Sequence, residues 1–355
     1  MITKGLDVKV LYDTTPLLPK KITGVGIYVR NLFRGLRGLG VDVNAVYQSS
    51  KLIKENSIDT HIQSSPKVFR AMFSPKNSII HSTDVNLLSD SPKFKKVITI
   101  HDMTMFRDDM MDSRLAKKLQ EHMKAQLNCN PDAIIVPSYE VHSEFLIRFP
   151  KFMNKVNVVY HGSDHLIDSD SLQRKAVTDK PYFLYVGTIE KKKNLVNIIK
   201  AFEGFCSLEE ETQLVIVGGD GYGADGLNKL ISSSPNKSRI IKTGYLQNAS
   251  LKKLYANAIG LVFPSLYEGF GLQIVEAMKM GCPVITSSVG VMAELGREHS
   301  HIVNPMKPEQ IMGAMERFVF DKNYRGKLIT QGTARTEKMT WLECARETAA
   351  VYNKI

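Results

Sequence analysis

Cysteine is scarce and scattered. Cys129, Cys206, Cys282 and Cys344 lie far apart, with no C-x-x-C pair and no histidine at metal-ligand spacing. Neither a disulfide framework nor a structural zinc site is thereby indicated, and a reducing compartment such as the cytoplasm is expected. Long apolar runs are also missing. No stretch approaches the roughly 18 uninterrupted apolar residues of a membrane span, and the opening Met1-Ile2-Thr3-Lys4-Gly5 leads into a strand-like segment without a signal-peptide core. The chain is therefore expected neither to cross a membrane nor to be exported by that route. No internal repeat of about 20–50 residues is visible, which argues against a solenoid. Disordered and collagen-like classes are excluded by a composition of 43% hydrophobic, 23% charged and 8% aromatic residues.

What is present is an ordinary globular composition over 355 residues, with a formal net charge of +11. At roughly 100–200 residues per domain the length predicts two domains, each able to bury its own core. The basic excess invites an anionic partner, but its distribution argues against nucleic acid. Residues 1–170 carry 23 basic and 18 acidic side chains, and residues 171–355 carry 24 and 18, so there is no basic arm or tail. Arg30, Arg34 and Arg37 share one helix face, read as a solvated face ahead of a contact with anionic lipid.

Short β-branched runs alternate with longer amphipathic stretches, which predicts an α/β class with parallel sheets and helical crossovers. The first series comprises Val8 to Tyr12, Val43 to Tyr47, Ile79 to His81, Val97 to Ile100, Ala133 to Val136 and Val156 to Tyr160, with helices including Ile27 to Leu39 and Ser113 to Leu127. A second series comprises Tyr182 to Val186, Leu214 to Val217, Ile240 to Thr243, Gly260 to Phe263 and Pro283 to Thr286. Between them Ser163 to Lys180 is polar and aperiodic and ends before Pro181. The expected division is 1–165, a linker at 166–180, 181–340, and a final helix from Trp341 that packs across a domain. Asp168-Ser169-Asp170 has the form of a D-x-D metal triplet, but polar linkers produce such triplets readily, and no metal site is assigned.

Chemistry concentrates in four places. The segment Pro264 to Pro283 follows a strand, turns through Gly269 and Gly271, and enters a helix predicted over Gln273 to Met280, stopped by Gly281. Backbone N–H groups near Gly271 and Leu272 would form an anion site at the helix start. Glu268 and Glu276 add carboxylates suited to vicinal sugar hydroxyls, so the segment suits a ligand carrying both phosphate and sugar. In Gly187-Thr188-Ile189-Glu190-Lys191-Lys192-Lys193-Asn194 a strand ends in glycine and cations follow, well placed to neutralise a diphosphate. Gly24 and Gly26 lie between the first strand and its helix. A nicotinamide-binding loop would want a third glycine where Val29 stands, which counts against an oxidoreductase. His101 projects from the end of a strand beside Asp102. Ser138 and His161 also fall at strand ends, with structural roles as a helix cap and a turn residue.

Taken in order, these blocks resemble the family-4 retaining glycosyltransferases of the GT-B fold, the glycosyltransferase group 1 with an E-x7-E signature. That signature is written here as Glu268 to Glu276 around Gly269-Phe270-Gly271-Leu272. Thr23-Gly24-Val25-Gly26-Ile27-Tyr28, Thr99-Ile100-His101-Asp102, Tyr185-Val186-Gly187-Thr188 through Leu195, and Thr243-Gly244-Tyr245-Leu246 extend the resemblance over nearly the whole chain. Two departures are Gln273, where the family often has proline, and Val289 to Glu294, a loose match to the usual loop.

The resemblance implies two doubly wound Rossmann-like domains facing a cleft, the C-terminal one holding a nucleotide sugar and the N-terminal one most of the acceptor, with the last helix crossing back to the N-terminal domain. It implies hexose transfer with retention, from GDP-mannose or a UDP-hexose to a glycan or lipid-linked sugar, without an essential metal or other cofactor. The departing diphosphate itself would take the acceptor proton. His101 would lie near the donor sugar, Glu268 on the transferred sugar, Lys193 and Lys192 at the phosphates, and Glu276 on the ribose. The backbone at Tyr245 and Leu246 would lie near the base, and Gly24, Gly26, Gly187, Thr188, Phe270, Gly271 and Leu272 would complete the donor site. Lysine at position 192, usually arginine, lacks the planar fork for a bidentate grip. Alternatives on the same fold are a sugar-nucleotide epimerase and a non-catalytic nucleotide-sugar-binding protein. No nucleic-acid partner is expected, and the enzyme would be cytoplasmic, with peripheral contact to an anionic membrane open.

Overall fold

The computed structural model describes residues 9–17, 22–47, 65–66, 75–76, 78–84, 91–167 and 177–355. Packing divides the chain into two units, 1–108 with 113–162 and 340–355, and 109–112 with 163–339. Most of the expected linker, including Asp168 and Asp170, lies outside the described residues. Among the described residues no helix is long and apolar enough to cross a membrane.

The first unit is built on a parallel sheet of β1 (Val10–Asp13), β2 (Val43–Tyr47), β3 (Ser65–Pro66), β4 (Ile79–Ser82), β5 (Lys95–Thr99), β6 (Ala133–Val136) and β7 (Val156–Val158). Their order is β3-β2-β1-β4-β5-β6-β7, and each neighbouring pair runs parallel. The β-branched runs are buried on both faces, as a doubly wound sheet requires. Helices α1 (Gly24–Gly38), α2 (Ser113–Asn128) and α3 (Tyr139–Arg148) belong to this unit. Gly24 and Gly26 are therefore not in a loop ahead of the helix, as the sequence suggested, but in its first turn, with Thr23 in extended conformation at the cap. Ser138 caps α3 by accepting the N–H of Val141 at 3.2 Å.

The second unit carries β8 (Tyr182–Val186), β9 (Gln213–Val217), β10 (Ile240–Gly244), β11 (Gly260–Phe263), β12 (Val284–Ser287) and β13 (His301–Val303) in the order β10-β9-β8-β11-β12-β13, again parallel throughout. Its helices are α4 (Leu195–Phe205), α5 (Ala224–Ser233), α6 (Asn248–Asn257), α7 (Leu272–Lys279), α8 (Gly290–Gly296), α9 (Pro308–Phe320) and α10 (Lys322–Thr336). The last helix, α11 (Trp341–Asn353), returns to the first unit. It lies so close to α1 that a Cβ on Gly35 would stand 2.8 Å from Ala345 Cβ, and one on Gly162 would stand 2.2 Å from the Trp341 nitrogen.

Both sheets have the doubly wound order in which chain direction reverses beside the first strand. The switch points lie between β1 and β4 and between β8 and β11, and ligands in such sheets bind outside the carboxyl ends of the strands flanking the switch. The loops after β8 and β11 are those that carry Lys193 and Glu268.

Candidate functional site

In the second unit, β8 ends at Val186 and the chain turns through Gly187 into a 3-10 turn, Lys191–Lys193. Asn194 then adopts a left-handed conformation, φ 61°, before α4 begins. This reversal sends Lys193 inward, leaving it 8% exposed. The Asn194 amide donates to the carbonyls of Pro264 at 2.9 Å and Pro305 at 2.7 Å, fastening the β8 loop to the β11 loop. Leu266 N–H donates to the Lys192 carbonyl at 2.8 Å, a second fastening.

The fastened loops bring Lys193 and Glu268 together. Lys193 Nζ donates to Glu268 Oε1 at 2.5 Å and Oε2 at 2.6 Å, and Glu268 is 7% exposed. The ammonium also lies over the Phe263 ring, 5.4 Å from its centroid. Beside the pair, Tyr185 donates its hydroxyl to the Thr188 carbonyl at 3.0 Å. Burial first, then the charges of Glu268 and Glu190, hold that phenol well above its ordinary pKa, so it stays protonated. Lys192 is half-buried, its Nζ 4.0 Å from Glu190 Oε2, and Thr188 is exposed.

Beyond Glu268 the chain runs through Phe270, 5% exposed, to Gly271 at φ 80°, where a side chain would be strained, and enters α7 at Leu272. Of the N–H groups at the start of α7, that of Ile274 donates to the Gly271 carbonyl at 2.9 Å, and the helix N-terminus carries partial positive charge. Glu276, one turn in, is 3% exposed. Tyr255 donates its hydroxyl to Glu276 Oε2 at 2.8 Å, and His165 Nε2 lies 3.0 Å from Oε1. The two glutamates thus have separate partners. Tyr245 and Leu246 sit between β10 and α6, the tyrosine 52% exposed and the leucine half-buried.

A glycine loop that the motif reading passed over supports this site. Gly218-Gly219-Asp220-Gly221-Tyr222-Gly223 follows β9 and zips onto the β8 loop. Ile189 N–H donates to Gly219 O at 2.8 Å, Gly221 N–H to Ile189 O at 3.0 Å, and Lys191 N–H to Tyr222 O at 3.2 Å. At Gly218 a Cβ would stand 1.9 Å from the Gly187 carbonyl oxygen. Four glycines in six residues after a strand were the available signal. His165 and Tyr255 carried no such signal.

The first unit holds His101, Gly24 and Gly26. His101 Nε2 lies 2.8 Å from the Thr83 carbonyl, which can only accept, so Nε2 carries the hydrogen and Nδ1 of the neutral ring is an acceptor. Burial lowers its pKa against the opposing influences of Asp84, the Thr83 contact and Asp102. Tyr28 of α1 stands edge-on to His101, centroids 4.9 Å apart, and donates or accepts a 2.9 Å hydrogen bond with Thr99. His161, expected as a turn residue, is 7% exposed and joins this cluster, 4.7 Å from Tyr28 and 5.9 Å from Trp341. Gly26 is buried with room for no side chain, since a Cβ would stand 2.6 Å from Ile22 Cγ2. Gly24 is exposed.

Known proteins resemble this chain in sequence and in fold. Residues 168–335 match the family described as glycosyl transferases group 1. An O-antigen chain mannosyltransferase B of Escherichia coli is 31% identical over 185 residues, 51% of this chain and 48% of the relative, so the chain spans about half the length of that curated protein. Among solved structures, a sucrose-phosphate synthase from Thermosynechococcus elongatus superposes with a TM-score of 0.74 at 19% identity, covering 98% of each chain. Anabaena HepE, solved in complex with UDP-glucose, gives 0.75 at 14% identity over 98% of this chain and 100% of its own. The two doubly wound sheets are those of the GT-B fold. The match to the glycosyl transferases group 1 covers residues 168–335, just under half of the chain.

Proposed function

We propose that this protein transfers a hexose from a nucleotide-diphosphate sugar to a glycan or lipid-linked sugar acceptor, with retention of anomeric configuration and without an essential metal. The observation that carries the reading is the buried Lys193–Glu268 pair, supplied by the two loops that flank the switch point of the second sheet. A carboxylate accepts from sugar hydroxyls, and an ammonium beside it neutralises the charge that grows on a departing diphosphate. The α7 N-terminus and Lys192 add positive potential where a metal ion would otherwise be needed. In the first unit, neutral His101 offers Nδ1 as an acceptor for a sugar hydroxyl. No enzyme nucleophile is required, because the departing phosphate oxygen takes the acceptor proton.

GDP-mannose and UDP-hexoses are the donors proposed. The mannosyltransferase relative supports the first, and the neighbour solved with UDP-glucose supports the second. The O-antigen relative likewise supports a glycan acceptor. None of the four cysteines is in a disulfide, which suits a reducing cytoplasm, with the acceptor met at the membrane surface.

A thermal-shift panel of GDP-, UDP- and dTDP-sugars tests the donor site, since a ligand at 100 times its Kd stabilises by about 2.7 kcal/mol. If none stabilises, the site is wrongly placed. Incubation with the stabilising donor should then give slow hydrolysis or transfer, and inversion at C2 of an intact donor would identify an epimerase instead. Glu276→Ala should weaken nucleotide affinity, whereas Glu268→Ala should mainly lower turnover, and the reverse pattern overturns the assignment of the two roles.

A further inference from the structure

We infer that Tyr255 is a positioning residue for Glu276: its hydroxyl sets the direction of the carboxylate, and with it the preference of the site for a nucleotide that carries both ribose hydroxyls. The inference deepens the proposed reading that Glu276 receives the ribose, and rests on it.

The contact is direct. Tyr255 Oη lies 2.8 Å from Glu276 Oε2, and an ionised carboxylate can only accept, so the phenol donates. Burial first, then the charge of Glu276, hold that phenol well above its ordinary pKa, which keeps the donor hydrogen in place. Tyr255 has no exposed surface and Glu276 keeps 3%, so water competes little for Oε2. A hydrogen bond with one ionised partner, away from water, is among the stronger contacts a side chain makes.

Both partners are also held from behind. Helix α6, which carries Tyr255, ends against the start of β8: the Tyr182 hydroxyl donates to the Leu254 carbonyl at 2.9 Å, and Ile259 N–H donates to the Tyr182 carbonyl at 2.8 Å. Glu276 stands in α7 between Val275 and Ala277, which have no exposed surface. With the two backbones fixed, rotation of the carboxylate about its last carbon–carbon bond is a freedom left for the hydrogen bond to settle.

An ionised carboxylate offers about four lone-pair directions, of which the phenol takes one. Because Oε2 is held on the α6 side, the plane of the others is favoured before a ligand arrives, and two adjacent hydroxyls need not impose it. Tyr255 never touches the ligand in this account. Its effect reaches the ligand only through Glu276.

The test uses the full chain, with UDP, GDP and their 2′,3′-dideoxy counterparts as probes, measured by calorimetry. For the base that binds, the parent should hold the ribose form at least about 10-fold more tightly than the dideoxy form, the low end for hydrogen bonds to a charged group. Tyr255→Phe keeps the ring and deletes only the donor. It should cut that ratio to under about 3-fold by weakening the ribose form, with the Kd of the dideoxy form within about 2-fold of the parent. An unchanged ratio, or equal weakening of both forms, overturns the inference, since lost packing would lower both affinities together. Glu276→Ala should abolish the ratio as well, and adding Tyr255→Phe to it should change neither Kd. A further loss in that double variant also overturns the inference, and the comparison holds even where Tyr255→Phe alone folds poorly. If the parent shows no ratio, or Glu276→Ala keeps it, the ribose reading of Glu276 is wrong. If Glu276→Ala abolishes the ratio and Tyr255→Phe keeps it, only the role of Tyr255 fails.

Discussion

Lys193→Met tests how far the candidate site depends on its buried ion pair. The substitution keeps an unbranched apolar stem next to Phe263 and deletes only the ammonium. Among the described residues, Lys193 is the hydrogen-bond partner of both oxygens of the Glu268 carboxylate, and the two residues are only 8% and 7% exposed. A buried carboxylate that loses its counter-ion costs about 3–5 kcal/mol, whereas replacing both members by apolar residues of similar volume is often close to neutral. At about 2–4 °C per kcal/mol for a unit of this size, Lys193→Met should lower the thermal midpoint by about 6–20 °C. Glu268→Met should also destabilise, by stranding the ammonium. The double variant should recover most of the loss, giving a coupling of about 3 kcal/mol or more in a cycle of the four proteins.

Turnover should follow a different pattern. The double variant should be stable and inactive, because neither the sugar acceptor nor the phosphate counter-charge remains. Additive losses in the melting cycle, or a loss under about 1 kcal/mol for Lys193→Met, would refute the claim that the pair is buried and mutually dependent.

Further outcomes follow from single contacts. Asn194→Gly preserves the left-handed backbone and removes the two bonds to Pro264 and Pro305, so urea denaturation should show a loss of about 2 kcal/mol, and Asn194→Ala about 1 kcal/mol more. Equal losses would mean that the backbone conformation carries no cost. Gly218→Ala drives a methyl into the Gly187 carbonyl at a φ of 149°, and should cost more than about 3 kcal/mol and raise donor KM. An unchanged melting curve would disprove the backbone contact between the two loops. His81 is fully buried between Tyr352 and Thr99, and burial, with a smaller effect of His101, pushes its pKa down to about 3. The unfolded chain takes up this proton near pH 6.5 while the folded one does not, so stability is full above that pH and is lost as pH falls toward 3. At 1.36 kcal/mol per unit the loss totals about 4–5 kcal/mol. His81→Gln should flatten the pH dependence of the urea midpoint between pH 6 and 4, and an unaltered slope would contradict the assignment.

How much of this could be read from the sequence depended on whether the signal was local. Val43–Tyr47, Ala133–Val136, Tyr182–Val186 and Gly260–Phe263 match their expected limits, because short β-branched runs bounded by polar residues leave little choice. Two edge strands, Ser65–Pro66 and His301–Val303, were not foreseen. They are two and three residues long and contain proline or histidine where a central strand would be apolar. In the site, Lys193, Glu268 and Glu276 each stood within a recognisable run. Their partners did not. Glu276 meets Tyr255 from the preceding helix and His165 from a turn more than a hundred residues upstream, and no spacing rule joins three such positions. The Lys193–Glu268 contact joins residues 75 apart and follows only once β8 and β11 are neighbours in the sheet.

That contact also changes how the positive charge of the chain bears on an anionic donor. A lysine read from the sequence as a phosphate ligand brings one unit of charge to the site, but Lys193 paired with Glu268 brings none. Under the proposed function the attraction for a diphosphate would then rest chiefly on the first turn of α7, whose N–H groups carry about half a unit of positive charge, because Lys192 itself lies 4.0 Å from Glu190. Lys193 has three N–H donors and Glu268 takes two, so one remains for a phosphate oxygen without releasing the carboxylate. A single nitrogen can therefore touch the leaving group while holding the residue proposed to touch the sugar. As the glycosidic bond breaks and charge moves onto the phosphate, the balance of that one ammonium shifts from Glu268 toward the phosphate. In this way the pair that appears inert at rest would respond to the charge that grows in the transition state.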